Sequence, residues 1–313
     1  MAYPQPVLPN EEVFKIRKNR TLAIVNSLKS ILIWRLSLCL LEIVTGFVFS
    51  VHVLIIDAIG TFFDLLLGVC LLFAVYLAAK PPDQQHPFGH GKLEPFMGWH
   101  LSLFLIMVGI YVSHLHIHEI FHPTSQPINN APIACLVAAI CALAMFGRYL
   151  KLKKCAKSSK SSVMLTEALH AKADAYSSLV AFFTIFLGLF FSNYGHWLDH
   201  IGSFAIGLLL IVQGIKNARD HLGPLIDQKP SVQDFETVSK ACFNVAGVLG
   251  VEKIKIIHSG PTAHVNVDIE VDPVINVLMS HEIAQKVRAS IQNAWPVVND
   301  VTVHVEPYYP LDH

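Results

Sequence analysis

Residues 52–79 read HVLIIDAIGTFFDLLLGVCLLFAVYLAA. A helix needs roughly 20 apolar residues to cross a bilayer, and this run supplies more, broken only by Asp57 and Asp64 among acidic or basic residues. Ionised groups are expensive at that depth and are kept there for function. Seven residues separate the two carboxylates, two helical turns, so they lie on nearly one face. The segment therefore predicts both a membrane environment and a polar centre inside it.

Five further stretches have the same texture, at about 31–50, 95–117, 131–150, 163–191 and 200–221. Arg35 and Glu42 interrupt the first at a spacing of seven, which predicts that both look into a bundle rather than into lipid. The composition agrees: 53% of residues are hydrophobic and 15% charged, against roughly 25% charged in soluble domains. Basic and acidic residues balance at 23 each, and no basic tract interleaved with aromatics is present, which argues against a nucleic-acid partner. Residues 1–20 are polar and lack the apolar core of a cleaved leader. Of the cysteines, Cys39, Cys70, Cys135 and Cys141 fall in apolar runs and none forms a CxxC pair, so reduced packing residues are expected.

Loop charge predicts orientation. Lys15, Arg17, Lys18, Arg20 and Lys29 precede the first span, Lys80 and Lys92 lie between the second and third, and Arg148 to Lys160 supplies six more between the fourth and fifth. The opposite connections, near 50, 118–130 and 192–199, hold no Lys or Arg. The positive-inside rule places both termini in the cytoplasm, with a cell (inner) membrane as the expected location. The expected division is a membrane domain over 1–228 and a cytoplasmic domain over 229–313. In the latter, helices over 231–246 (Ser231 as N-cap) and 280–294 combine with strands over 251–258, 263–271 and 301–305. Val265, Val267, Ile269 and Val271 alternate with His264, Asn266, Asp268 and Glu270, the period of a half-buried strand. The order αββαβ predicts a small α+β domain with helices on one face of a three-stranded sheet.

In the fifth span His170 and Asp174 are four apart and share a face. Packed against the second span, they bring an imidazole and carboxylates together, a ligand set suited to zinc and tolerant of iron, cobalt or manganese. Titratable ligands also let protons compete with metal. Between spans two and three, Asp83, His86 and His90 form a D-x-x-H-x-x-x-H group able to hold one cation. At the far end of span three His114, His116, His118 and His122 crowd together beside Glu119, with His114, His118 and His122 along one face. Two readings of them stand: a metal site, or an interfacial histidine belt. A metal-dependent hydrolase would need a catalytic group beside a metal-bound water, and the sequence offers none.

His170-Ala-Lys-Ala-Asp174-Ala-Tyr-Ser-Ser resembles the fifth-helix signature of the cation diffusion facilitator family. Asp57 to Asp64 is similar to its second-helix signature, and Asp83-Gln-Gln-His86-Pro-Phe-Gly-His90-Gly-Lys92 to its loop motif. The resemblance runs over roughly 15–310, including Ser259-Gly260-Pro261. It implies a homodimeric, proton-coupled antiporter that expels divalent cations, zinc first and iron, manganese, cobalt or cadmium after it, with a ferredoxin-like tail. It implies a transport site at Asp64, His170 and Asp174 whose fourth position falls on Gly60, leaving Asp57 or a water to complete the shell, or else a non-transporting partner subunit or sensor. It further implies a cytoplasmic metal site at Asp268, His281, His304 and Glu306, with Glu252 where histidine is common, and a Lys92–Asp227 pair that locks two protomers.

Overall fold

The computed structural model describes residues 7–78, 83–86, 88–121, 131–159, 162–191, 194–259 and 262–310, with backbone alone at 20–21, 23–25, 27–28, 71, 74–75, 78, 131, 155–159 and 162–170. Six long helices come first: α1 Glu11–Phe49, α2 His52–Ala78, α3 Leu93–Phe121, α4 Ala131–Ser159, α5 Ser162–Phe190 and α6 Gly195–Leu225. Each contains a stretch long and apolar enough to cross a membrane, and large apolar side chains such as Phe47, Phe73, Tyr111 and Leu143 stay exposed on them, as lipid-facing residues do. The chain is an integral membrane protein. Helix α1 begins far before its apolar part because the polar run before Lys29 carries no helix breaker.

By contacts the chain forms two compact units, one of residues 29–70 and 97–220, the other of 1–28, 71–96 and 221–313. In the first, Val53, Leu54, Leu105, Ile185, Ile206 and Leu210 form the centre of the packing. Small residues set a close helix contact in it: a Cβ on Gly109 would stand 2.9 Å from the Gly207 carbonyl, and one on Gly207 2.5 Å from Ser113 Oγ. Two glycines facing each other let α3 and α6 touch backbone to backbone, the usual device where lipid removes a hydrophobic drive for helix pairing.

The second unit holds the tail: α7 Val232–Phe243, β1 Gly250–Ser259, β2 Thr262–Val271, α8 Val277–Ala294 and β3 Val298–Pro307, in the expected αββαβ order. Strand β2 is central, antiparallel to β1 and parallel to β3, and α8 supplies the crossover that a parallel pair requires. Ser231 caps α7 in a reciprocal box with Asp234. Val265, Val267 and Ile269 are fully buried beneath Val238, Val287 and Ile291 of the helices, which leaves Asp268 and its neighbours on the opposite face. Burial pushes the Cys242 thiol up to about 12, consistent with an inert packing residue. The start of α1 docks on this unit, where Arg17 donates to the carbonyls of Pro296 (2.8 Å) and Val298 (2.6 Å).

Candidate metal sites

Asp64 projects from α2 and Asp174 from α5, and both are buried. Two groups bridge them. The guanidinium of Arg35, on α1, lies 3.7 Å from Asp64 Oδ2 and 3.4 Å from Asp174 Oδ2; its Nη1 also donates to the Asp64 carbonyl at 2.9 Å. The amide of Gln213, on α6, lies 3.5 Å from Asp64 Oδ1 and 3.4 Å from Asp174 Oδ1. Four helices thus converge on one pair of carboxylates already wrapped around a cation. Arg35 faces the bundle interior, as its spacing with Glu42 predicts, but its seat between the two acids and the part played by Gln213 are not readable from the sequence. Both are single polar residues in apolar runs, and only the packing says which carboxylate they meet. His170 lies one turn before Asp174 in α5, with its side chain outside the described residues.

Asp57 is buried too, and Ser177 donates to its Oδ1. Two helical turns, about 10 Å along the axis, separate it from Asp64. Its other oxygen is buried without a hydrogen-bond partner, as is one oxygen of Glu42; Thr61 donates to the remaining Glu42 oxygen at 3.3 Å. At Gly60 a Cβ would meet Leu210 Cδ2 at 2.9 Å, so the place of a side chain there is taken by α6.

In the second unit, Asp83, His86 and His90 offer ligand atoms all within 4.8 Å of one another. Gly89 makes this compact: at φ 79° it turns the chain in the left-handed region, and its N–H bonds the His86 carbonyl at 2.9 Å. Backbone N–H donation from His86 (2.7 Å), with that of Gln85 (2.9 Å), holds the exposed Asp83 carboxyl below its ordinary range. A group depressed in the folded state stabilises above its unfolded pKa, about 3.9 for aspartate, and loses that contribution as pH falls through the lower folded value. The amide resonances of Gln85 and His86 should therefore move as pH falls below about 4; no movement there would remove the Asp83 carboxylate as their acceptor. Lys92 and Asp227 meet at 2.9 Å, both half-exposed. Within one chain such a pair is worth under about 1 kcal/mol.

In the tail the parallel register sets Asp268 opposite His304 and Glu270 opposite Glu306. His304 Nδ1 lies 3.1 Å from Glu306 and 3.8 Å from Asp268, and these three again offer atoms within 4.8 Å of one another. A pocket lined by Glu252, Glu270, His304, Glu306 and Tyr309 adjoins them. His281 is not brought to this group; it is exposed on α8 and contacts Gln285 at 3.3 Å.

A six-span helical membrane protein with paired intramembrane carboxylates and histidine–carboxylate clusters outside the membrane belongs to the class of metal cation transporters. Comparison with known proteins gives the family. Residues 28–226 match the cation efflux transmembrane domain and residues 230–308 the cytoplasmic domain of cation efflux proteins. The chain belongs to the cation efflux family, whose members are transporters and not enzymes. The manganese efflux system protein MneS of Bacillus subtilis is 28% identical over 272 residues, covering 87% of this chain and 91% of that protein. The cation-efflux pump FieF of Salmonella arizonae is 23% identical over 250 residues, covering 78% and 79%. Metal tolerance protein C1 of Arabidopsis thaliana is 26% identical over 290 residues, covering 88% of this chain; the chain spans 60% of that relative's length.

Proposed function

We propose that the protein is a homodimeric antiporter that expels a divalent transition-metal cation in exchange for protons, with Asp64, His170 and Asp174 as its membrane ligands. The observation that carries this reading is the meeting of Asp64 and Asp174 around one guanidinium. Two carboxylates on different helices that share a cation are poised to share a dication, and helices that rock against one another around a midplane site give alternating access. Zinc is the first candidate because an imidazole one turn from Asp174 completes a mixed N/O set. Manganese is the second, since carboxylates prevail in the set and suit it, and two relatives, MneS and MneP, are manganese efflux proteins by name. The loop and tail clusters are read as cytoplasmic metal sites, the termini as cytoplasmic, and Lys92–Asp227 as the pair that braces the dimer at the membrane surface of the cell (inner) membrane. Metal uptake into proteoliposomes, compared across zinc, manganese, iron and cobalt with and without a pH gradient, tests the whole; flux indifferent to the gradient removes the antiport.

Gly60 favours one competing reading, a non-transporting partner subunit or sensor, because glycine offers no ligand there and a Cβ would meet Leu210 Cδ2 at 2.9 Å. Gly60→Asp decides between them. In an exporter whose shell is closed by water, the new carboxylate must first displace the Leu210 methyl, and metal binding then tightens by tenfold or more, about 1.4 kcal/mol. If wild type carries no ion and Gly60→Asp does, the chain is a partner subunit.

The tail makes a separate expectation. Calorimetry on residues 229–313 should show zinc binding that weakens on acidification as His304 takes up a proton, and His304→Ala should reduce it at least tenfold, about 1.4 kcal/mol. No heat at millimolar zinc would remove the tail site.

A further inference from the structure

Of the histidines at the end of α3, the structure turns inward one that the face of His114, His118 and His122 does not include. His116 is 2% exposed, whereas His114 and His118 are exposed and His122 lies outside the described residues. The cause is the α3–α6 crossing. Gly109 meets Gly207 there, and the helices run antiparallel, with Ser102 and Ile106 beside Gly214. Two turns beyond the crossing, each helix carries a histidine on the same face: His116 is seven residues after Gly109, His200 seven before Gly207. Their Nδ1 atoms lie 2.8 Å apart.

A third imidazole completes the group. His52 opens α2, and its ring centroid lies 5.2 Å from that of His200 and 5.8 Å from that of His116; His116 and His200 are 5.0 Å apart on the same measure. Asp199, 3% exposed, holds it in place. Its Oδ2 accepts from His52 Nδ1 at 2.8 Å and from the His52 N–H at 2.9 Å, while Oδ1 accepts from the Val53 N–H at 2.9 Å. A carboxylate only accepts, so the His52 proton resides on Nδ1 and the neutral ring keeps its lone pair on Nε2. This is the carboxylate–histidine arrangement that fixes the tautomer of metal-binding imidazoles.

We propose that His52, His116 and His200 form a second membrane-embedded metal site, for a late first-row divalent cation such as zinc, with Asp199 orienting His52. The dimensions fit. With Zn–N bonds of about 2.0–2.1 Å, the centroids of imidazoles on one tetrahedral zinc lie about 5.2 Å apart, and the three observed separations bracket that value. Binding requires the His116–His200 contact to open from 2.8 Å to about 3.3 Å between two nitrogen ligands, and His52 to close on that pair. An all-imidazole set suits zinc, copper and nickel and gives little to manganese, which prefers carboxylate and water. Twelve residues of α2, about 18 Å, separate His52 from Asp64, so this site is distinct from the proposed transport site and does not depend on the efflux reading. The bland account is a hydrogen-bonded histidine pair beside a helix cap, with no ion.

Equilibrium dialysis of the full-length protein in detergent against zinc, followed by metal analysis, separates the two. The double variant His116→Gln, His200→Gln keeps a hydrogen-bonding pair at the helix contact and should bind one zinc fewer per chain than wild type. The same decrement should appear when the substitutions are added to an Asp64→Asn, Asp174→Asn background, where flux is no longer informative. Unchanged stoichiometry in both backgrounds overturns the site. Should the double variant fail to fold, His52→Gln alone serves, since it leaves the His116–His200 bond intact; one zinc per chain should then weaken at least tenfold, and an unaltered isotherm overturns the proposal equally.

Discussion

Asp174→Asn should bring divalent-cation flux in proteoliposomes down to that of protein-free vesicles. Asp174 is one of two buried acids that face the same cationic centre, and asparagine keeps its shape while removing the charge. Breaking one side of a buried charge pair costs about 3–5 kcal/mol, and a loss of that size in metal binding is about two to three and a half orders of magnitude in affinity at about 1.4 kcal/mol per decade. Among the described residues the next acid along the same face of α2, Asp57, is engaged by Ser177. The variant should still elute as wild type does. Undiminished flux would take the site away from Asp64 and Asp174 altogether.

Arg35→Met should have the opposite signature, a loss in the metal-free protein that metal repairs. The guanidinium is 7% exposed and is the cation nearest both carboxylates among the described residues. Removing it leaves two acids facing each other, bridged by Gln213. A cost of about 3–5 kcal/mol to the metal-free fold follows, read as a lowered melting temperature in detergent. A divalent ion should restore stability and bind more tightly than to wild type, because nothing has to be displaced. If metal-free Arg35→Met melts as wild type does, the guanidinium is not what holds the two acids.

The spans were legible because their signal is composition summed over some twenty residues, which no single packing contact overrides. The β2 pattern was legible for the related reason that one face of the strand is fully buried, at Val265, Val267 and Ile269. Asp64 and Asp174 could be singled out because intramembrane acids are costly wherever they lie. What the sequence leaves open is rotation and pairing. His114 and His118 share an exposed face as periodicity requires, yet His116 is the one that turns inward, because the glycine contact between α3 and α6 sets how α3 is rotated. Asp57 and Asp64 share a face of α2 but find different partners, Ser177 for one and Arg35 with Gln213 for the other. Spacing along one helix cannot tell these apart, since the partners sit on others. His281 belongs to a set that the resemblance assigns to a cytoplasmic dimer interface, and within one protomer α8 carries it to Gln285 while His304 and Glu306 pair on β3.

Arg35 also bears on when the protein responds. A competitor carried on the same chain is never diluted, so an incoming ion meets it at a fixed effective concentration whatever the medium contains. The apparent dissociation constant is then the intrinsic one multiplied by one plus the strength of the internal contact, and each about 1.4 kcal/mol of that contact raises it tenfold. If Asp64 and Asp174 bind the exported ion as proposed, the guanidinium between them sets a threshold: metal too scarce to displace the arginine is left alone, and only a surplus is carried out.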